Sequence, residues 1–148
     1  MAEVKFTGKL TKHFELAEYT VNQTEECNIN YEAMEHANLL EELRIWYGKP
    51  IRVNSWYRTP AYNKKCGGVA SSNHLRGTAT DVLITFETDA EFIRFAQKWK
   101  QICKASGTVG EIGRYKTFTH LGSHIRYSNV FYNWDKRSGK QINMFYKI

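Results

Sequence analysis

Apolar residues recur at three- and four-residue steps between Asn30 and Tyr47: Ala33, Ala37, Leu40, Leu43 and the Trp46/Tyr47 pair. That spacing predicts an amphipathic helix, and Gly48 followed by Pro50 is a stop signal. Ile51 to Tyr57 alternates around Ile51, Val53 and Ser55, as a short strand does. Thr59-Pro60 opens a turn and a helical turn through Lys65, which Cys66-Gly67-Gly68 breaks. Val69 to Gly77 reads as a loop and Thr78 to Phe86 as a second strand. Thr88 and Glu91 have the spacing of a capping box. The helix they start runs to about Ala105, with Phe92, Phe95/Ala96, Trp99 and Ile102/Cys103 on one face and Ser106-Gly107 at its end. Glu111 to Arg126 is strand-like, with a hairpin turning at Gly122-Ser123. Trp134 to Ile148 is a mixed tail with a second hairpin around Ser138-Gly139. Helices, strands, a helix and strands again predict an α+β fold. The expectation is a single small domain over residues 1–148, with one mainly antiparallel sheet flanked by helices.

The chain has 148 residues, enough to bury a core without staples. With 42% hydrophobic and 24% charged residues, the composition is globular rather than disordered. No apolar run reaches the roughly 18 residues of a membrane span. Lys and Arg number 21 against 15 Asp and Glu, a formal charge of +6 that favours anionic partners. The cations form no run, so a solvated basic surface is expected, not a nucleic-acid interface. Residues 1–20 alternate polar and apolar and hold no export-signal core. Three cysteines, Cys27, Cys66 and Cys103, are odd in number and lack a CxxC pair, so free thiols are expected rather than a disulfide framework.

Histidines carry the candidate chemistry. His74 falls in the loop, Gly77 permits a reversal, and Asp81 lies in the strand that follows. An imidazole and a carboxylate can then converge on one ion from two sides of the bend. Zinc takes imidazole nitrogen and carboxylate oxygen at about 2.0–2.2 Å, and a catalytic zinc keeps three protein ligands and one open position. A third ligand must come from elsewhere; His120 is the candidate and His124 its rival. The spacing of Cys66 from His74 matches no zinc-ribbon or finger pattern.

Two stretches together point to a family. One is His74-Leu-Arg-Gly77-Thr-Ala79-Thr-Asp81; the other is Ser55-Trp-Tyr-Arg-Thr-Pro-Ala-Tyr-Asn63 followed by Gly67-Gly68-Val69. Phe14 to Thr20, Lys49 to Ser55, Gly110 to Tyr115 and Phe118-Thr-His120 extend the likeness over most of the chain. The sequence resembles the zinc D-Ala-D-Ala carboxypeptidases and L,D-endopeptidases that cut peptidoglycan stem peptides, in their compact phage and bacterial form. Their fold group includes the vancomycin-resistance dipeptidases and the hedgehog signalling domain. The resemblance implies zinc held by His74, Asp81 and His120. It implies that Arg58 holds the substrate carbonyl or carboxylate and stabilises the oxyanion, with Ser72 near the substrate. Tyr57, with Trp56 and Tyr62, is expected beside the site, where an aromatic can grip substrate.

Two departures concern the general base. Many relatives carry Glu or Asp three residues before the last His, where this chain has Thr117. Compact relatives often carry Asp or Ser two residues after it, where this chain has Gly122. Glu111, His124 and Asp135 are the nearest substitutes, of which Glu111 and His124 are taken as catalytic candidates. The expected function is hydrolysis of peptidoglycan stem peptides by a monomer, made in the cytoplasm and acting at the cell wall as a phage lysin does, or carried on a virion. The alternative is a weak or inactive zinc module that binds wall or serves as a phage structural part.

Overall fold

The computed structural model describes residues 8–23 and 29–148. Six strands form one sheet: β1 (Val53–Ser55), β2 (Ala79–Val82), β3 (Glu111–Arg114), β4 (Thr119–Gly122), β5 (Tyr132–Asp135) and β6 (Ile142–Asn143). Their spatial order is β1-β2-β4-β3-β5-β6. Every neighbouring pair is antiparallel except β3 and β5. Four helices accompany them: α1 (Leu16–Tyr19), α2 (Tyr31–Tyr47), α3 (Pro60–Lys65) and α4 (Asp89–Ala105). The α+β expectation holds.

Helix α2 begins where the Asn30 side chain accepts from Ala33 N at 2.9 Å and ends at Gly48, whose φ of 74° suits a left-handed cap. In α4, Thr88 Oγ1 accepts from Glu91 N, while the Glu91 carboxylate takes the Glu87 N–H rather than that of Thr88. Both helices bury the stripes their spacing implies. They pack on one face of the sheet, where Val82, Ile112 and Leu121 join Leu40, Leu43, Phe92, Phe95 and Trp99 in one core. His36 of α2 is fully buried there, between Ser123 Oγ at 2.7 Å and Thr80 Oγ1 at 2.8 Å. Burial, reinforced by the charges of His124, His120 and His74, pushes its pKa well below the usual imidazole range. It is a neutral core histidine that bonds at both nitrogens.

Side chains alternate across a strand, so the residues between these core positions face the other way. Pairing aligns them in one transverse row: Ser55 beside Asp81, Asp81 beside His120, His120 beside Gly113, Gly113 beside Trp134, Trp134 beside Asn143.

Two local expectations change. The stretch read as a loop before Asp81 contains a 3-10 turn, Asn73–Arg76, capped by Ser72 Oγ on His74 N and closed by Gly77 at φ 72°. The hairpin in residues 111–126 turns at Tyr115–Phe118, with Tyr115 N bonded to Phe118 O and the two rings stacked at 4.3 Å. Gly122 instead ends β4, paired with Glu111. The tail hairpin does turn at Lys136–Gly139. Cys66 and Cys103 are free thiols, and Cys27 lies outside the described residues.

Candidate metal centre

Each candidate ligand is aimed by its own element. The 3-10 turn lifts His74 toward β2, and its Nδ1–H donates to Trp56 O at 2.7 Å. That bond leaves Nε2 as the free donor atom, 3.3 Å from Asp81 Oδ2. Cross-strand pairing sets His120 beside Asp81, with His120 Nδ1 3.0 Å from Asp81 Oδ1. His74, Asp81 and His120 are all buried, and one donor atom from each lies within 4.8 Å of the others. Ligands on a tetrahedral zinc with bonds near 2.0–2.1 Å stand roughly 3.3 Å apart. The His74–Asp81 separation matches that edge, and two imidazoles with one carboxylate are zinc's preferred kind of donor. The residues therefore fit a divalent zinc ion with a position left for water or substrate.

Arg58 joins this group. Its guanidinium donates to Asp81 Oδ2 at 3.0 Å, to Ser55 Oγ at 3.0 Å and to Asn63 Oδ1 at 3.4 Å. Glu111 joins it from β3. It is buried, and one carboxylate oxygen accepts from His120 Nε2 while the other accepts from Asn73 Nδ2 at 3.0 Å and Tyr127 Oη at 2.9 Å. Burial alone would raise the pKa of Asp81; the facing His74 and His120 hold it well below the usual carboxylate range instead. Burial likewise opposes the charged form of Glu111, and the His120 contact outweighs it, so this pKa is lowered too. Burial would lower His120, yet Glu111 and Asp81 push it up to about 9.

A cavity of about 470 Å³ opens over the row. His74, Asp81, His120, Arg58, Glu111 and Ser72 all line it. Tyr115, Phe118, Tyr127, Tyr132 and Trp134 make an aromatic wall, and Lys136, Gln141 and Asn143 continue it along β5 and β6. Trp134 lies over Gly113, where an added Cβ would collide with the indole, and its ring centroid is 5.1 Å from that of His120.

Five residues that the sequence placed at or near the site, Trp56, Tyr57, Tyr62, His124 and Asp135, are not among those that line the cavity. Tyr57 stacks on Tyr19 at 5.5 Å, packed against the core, and is not among the residues that line the cavity. His124 lies past the end of β4 in a left-handed conformation, φ 55°. Its Nδ1 meets Ser123 Oγ at 2.8 Å and its Nε2 lies 3.4 Å from Glu35 Oε1. The strand ends at Gly122, so His124 turns toward α2 instead of continuing along the face of His120. Asp135, the third base substitute, is held by Arg137 and Tyr146.

Sequence reasoning missed Asn73, Tyr127 and Trp134. Asn73 adjoins His74, but nothing marks an Asn in a turn as a partner for a distant glutamate. Tyr127 arrives from a loop with no periodic pattern, and only the parallel pairing of β5 on β3 brings Trp134 over His120. A family model described as Peptidase M15 matches residues 10–122, well over half of the chain. A comparison with curated proteins found no match.

Proposed function

Because this chain belongs to the peptidase M15 family of metallopeptidases, we propose that it is a zinc-dependent hydrolase of amide bonds in the stem peptides of bacterial peptidoglycan. The observation that carries the reading is the convergence of His74, Asp81 and His120 on one point of a cavity that Arg58 also lines. Zinc, when bound, supplies a polarised carbonyl and a water whose pKa falls to about 7.

The protein's own residues do the rest. Trp56 O holds the His74 ring through Nδ1, so that Nε2 would be the atom offered to the ion. Arg58 spends three of its five N–H donors on Ser55, Asn63 and Asp81, and those that remain serve a substrate carboxylate or the developing oxyanion. Lys136 adds a second cation to the lining. The lining carboxylates are Asp81, the metal ligand, and Glu111, whose oxygens are both engaged. An anionic peptide suits such a cavity, and the aromatic wall suits a chain that lies flat along it. Peptide stems bearing free carboxylates meet both requirements, whether cleaved at a terminal D-Ala-D-Ala bond or internally, as a phage lysin does.

The engagement of both Glu111 oxygens also favours a second reading, a zinc module that binds wall without cutting it. A positioned base contributes typically 10²–10⁴-fold in rate, so its loss slows hydrolysis without touching metal binding. One sample separates the two readings. Wild type and His74→Ala are purified without added metal, assayed for zinc by elemental analysis and incubated with peptidoglycan, and products are identified by mass spectrometry. Near-stoichiometric zinc and cleavage in the wild type alone are expected, and the product masses name the bond. Zinc with no cleavage at any pH would leave the binding module. Absence of zinc would overturn both.

A further inference from the structure

The ring of His120 is gripped on three sides. Its Nδ1 faces Asp81 Oδ1, its Nε2 meets the Glu111 carboxylate, and Trp134 lies against it. The two nitrogens of an imidazole point in opposite directions, so a carboxylate on Nε2 stands on the far side of the ring from the metal point. Further bonds hold Glu111 in that position. Its other oxygen accepts from Asn73 and from Tyr127, and Asn73 Oδ1 in turn accepts from Arg76. Its stem also fills a prepared space: an added Cβ at Gly122, its partner across the β3–β4 pair, would have Glu111 Cγ, Cδ and Oε2 as its three nearest neighbours. Trp99 Nε1, bonded to the carbonyls of Glu111 and Gly122, fixes the two backbones from the core side.

We propose that Glu111 is a positioning residue: it holds the Nε2–H tautomer of His120, so that Nδ1 is the ligand atom, and Asn73 and Tyr127 hold Glu111 in turn. The inference rests on the metal-site reading above and adds what that reading does not assign. A carboxylate behind a metal-bound histidine orients the ring and raises its basicity, and removing such a partner costs typically 10–100-fold in metal affinity. The sequence candidate for general base thereby acquires a different task. Glu111 acts on the ion through His120 and not on the water.

The test is zinc affinity measured by competition with a chromophoric chelator, together with nitrogen NMR of the zinc-loaded wild type. Zinc affinity of Glu111→Ala is expected to fall 10–100-fold, and that of Glu111→Gln less, because the amide oxygen still accepts the N–H but carries no charge. Thermal melts of the chelator-treated variants check that each is folded. The wild-type spectrum is expected to show His120 protonated at Nε2 and metal-bound at Nδ1. Affinity of folded Glu111→Ala within twofold of wild type would overturn the proposal. So would a His120 bound through Nε2, a result that needs no variant. If the wild type binds no zinc, the metal-site reading fails and this one with it. If the wild type binds and Glu111→Ala binds equally well, only this one fails.

Discussion

At the scale of single residues, Arg58 is tied into the site by its bonds to Ser55, Asn63 and Asp81 while it lines the cavity. Its side chain is 12% exposed and bonds Asp81, a proposed metal ligand, from the side. Replacing it by Lys keeps the charge but loses the planar fork. Arg58→Lys is expected to retain zinc and to lower kcat/KM on peptidoglycan fragments by about 10²–10³, as removal of an oxyanion donor does. Equal rates would remove Arg58 from the reaction. The buried charges also predict a pH profile for the chelator-treated protein. Asp81 and Glu111 are held below their ordinary values of 3.8 and 4.5, so their contribution to stability is present above those values and is lost as acid protonates them. His120 is raised from 6.5 to about 9, so its contribution is full below 6.5 and is lost as pH rises through 9. Thermal melting is therefore expected to peak between about pH 5 and 6.5. A midpoint that climbed from pH 6.5 to 9.5 would contradict the His120–Glu111 contact. The grouping of His74, Asp81 and His120 that the structure shows was legible chiefly through the motif resemblance; residue type and spacing alone left His124 a rival to His120. Glu111 was legible only as a nearby acid, since its engagement depends on which residue stands opposite it.

At the scale of elements, the 3-10 turn is the piece a reading of periodicity cannot see. Four residues are too few to show a period, and Gly77 reads equally well as a loop glycine or a cap. The structure makes Gly77 obligatory twice. Its φ is 72°, and an added Cβ would lie 2.9 Å from Ala33 Cβ and closer still to Tyr19 Oη. Its carbonyl also accepts from Trp56 Nε1 at 2.8 Å, the residue whose own carbonyl orients His74. Gly77→Ala is expected to destabilise by roughly 2–4 kcal/mol, summing left-handed strain and overpacking, and to weaken zinc binding with it. Urea unfolding with and without zinc measures both, and an unchanged midpoint would show that the turn tolerates a side chain. Helices α2 and α4 were legible throughout because each carries a sustained stripe between a cap and a stop. The β3–β4 hairpin was misplaced for the opposite reason. Gly122 looks like a turn residue, yet it is needed inside the strand pair, where the Glu111 side chain leaves no room for another.

At the scale of the whole molecule, one sheet separates two tasks. Its helix-covered face is mainly apolar and carries the core; its other face holds the row from Ser55 to Asn143 and the cavity above it. The α+β class followed from the order of elements, whereas the parallel placement of β5 on β3 did not, because no local signal distinguishes a tail strand that returns parallel from one that returns antiparallel. The row also dictates an order of events. His74 and Asp81 are near neighbours in the chain, but His120 reaches Asp81 across 39 residues. A chain that has not yet paired β2 with β4 offers only a fraction of the donor set. Closing such a long loop costs more entropy than local pairing and is expected to come late in folding. On the proposed reading, zinc finds its complete site only once that pairing is made, so its binding is expected to slow unfolding and to leave the rate of folding nearly unchanged.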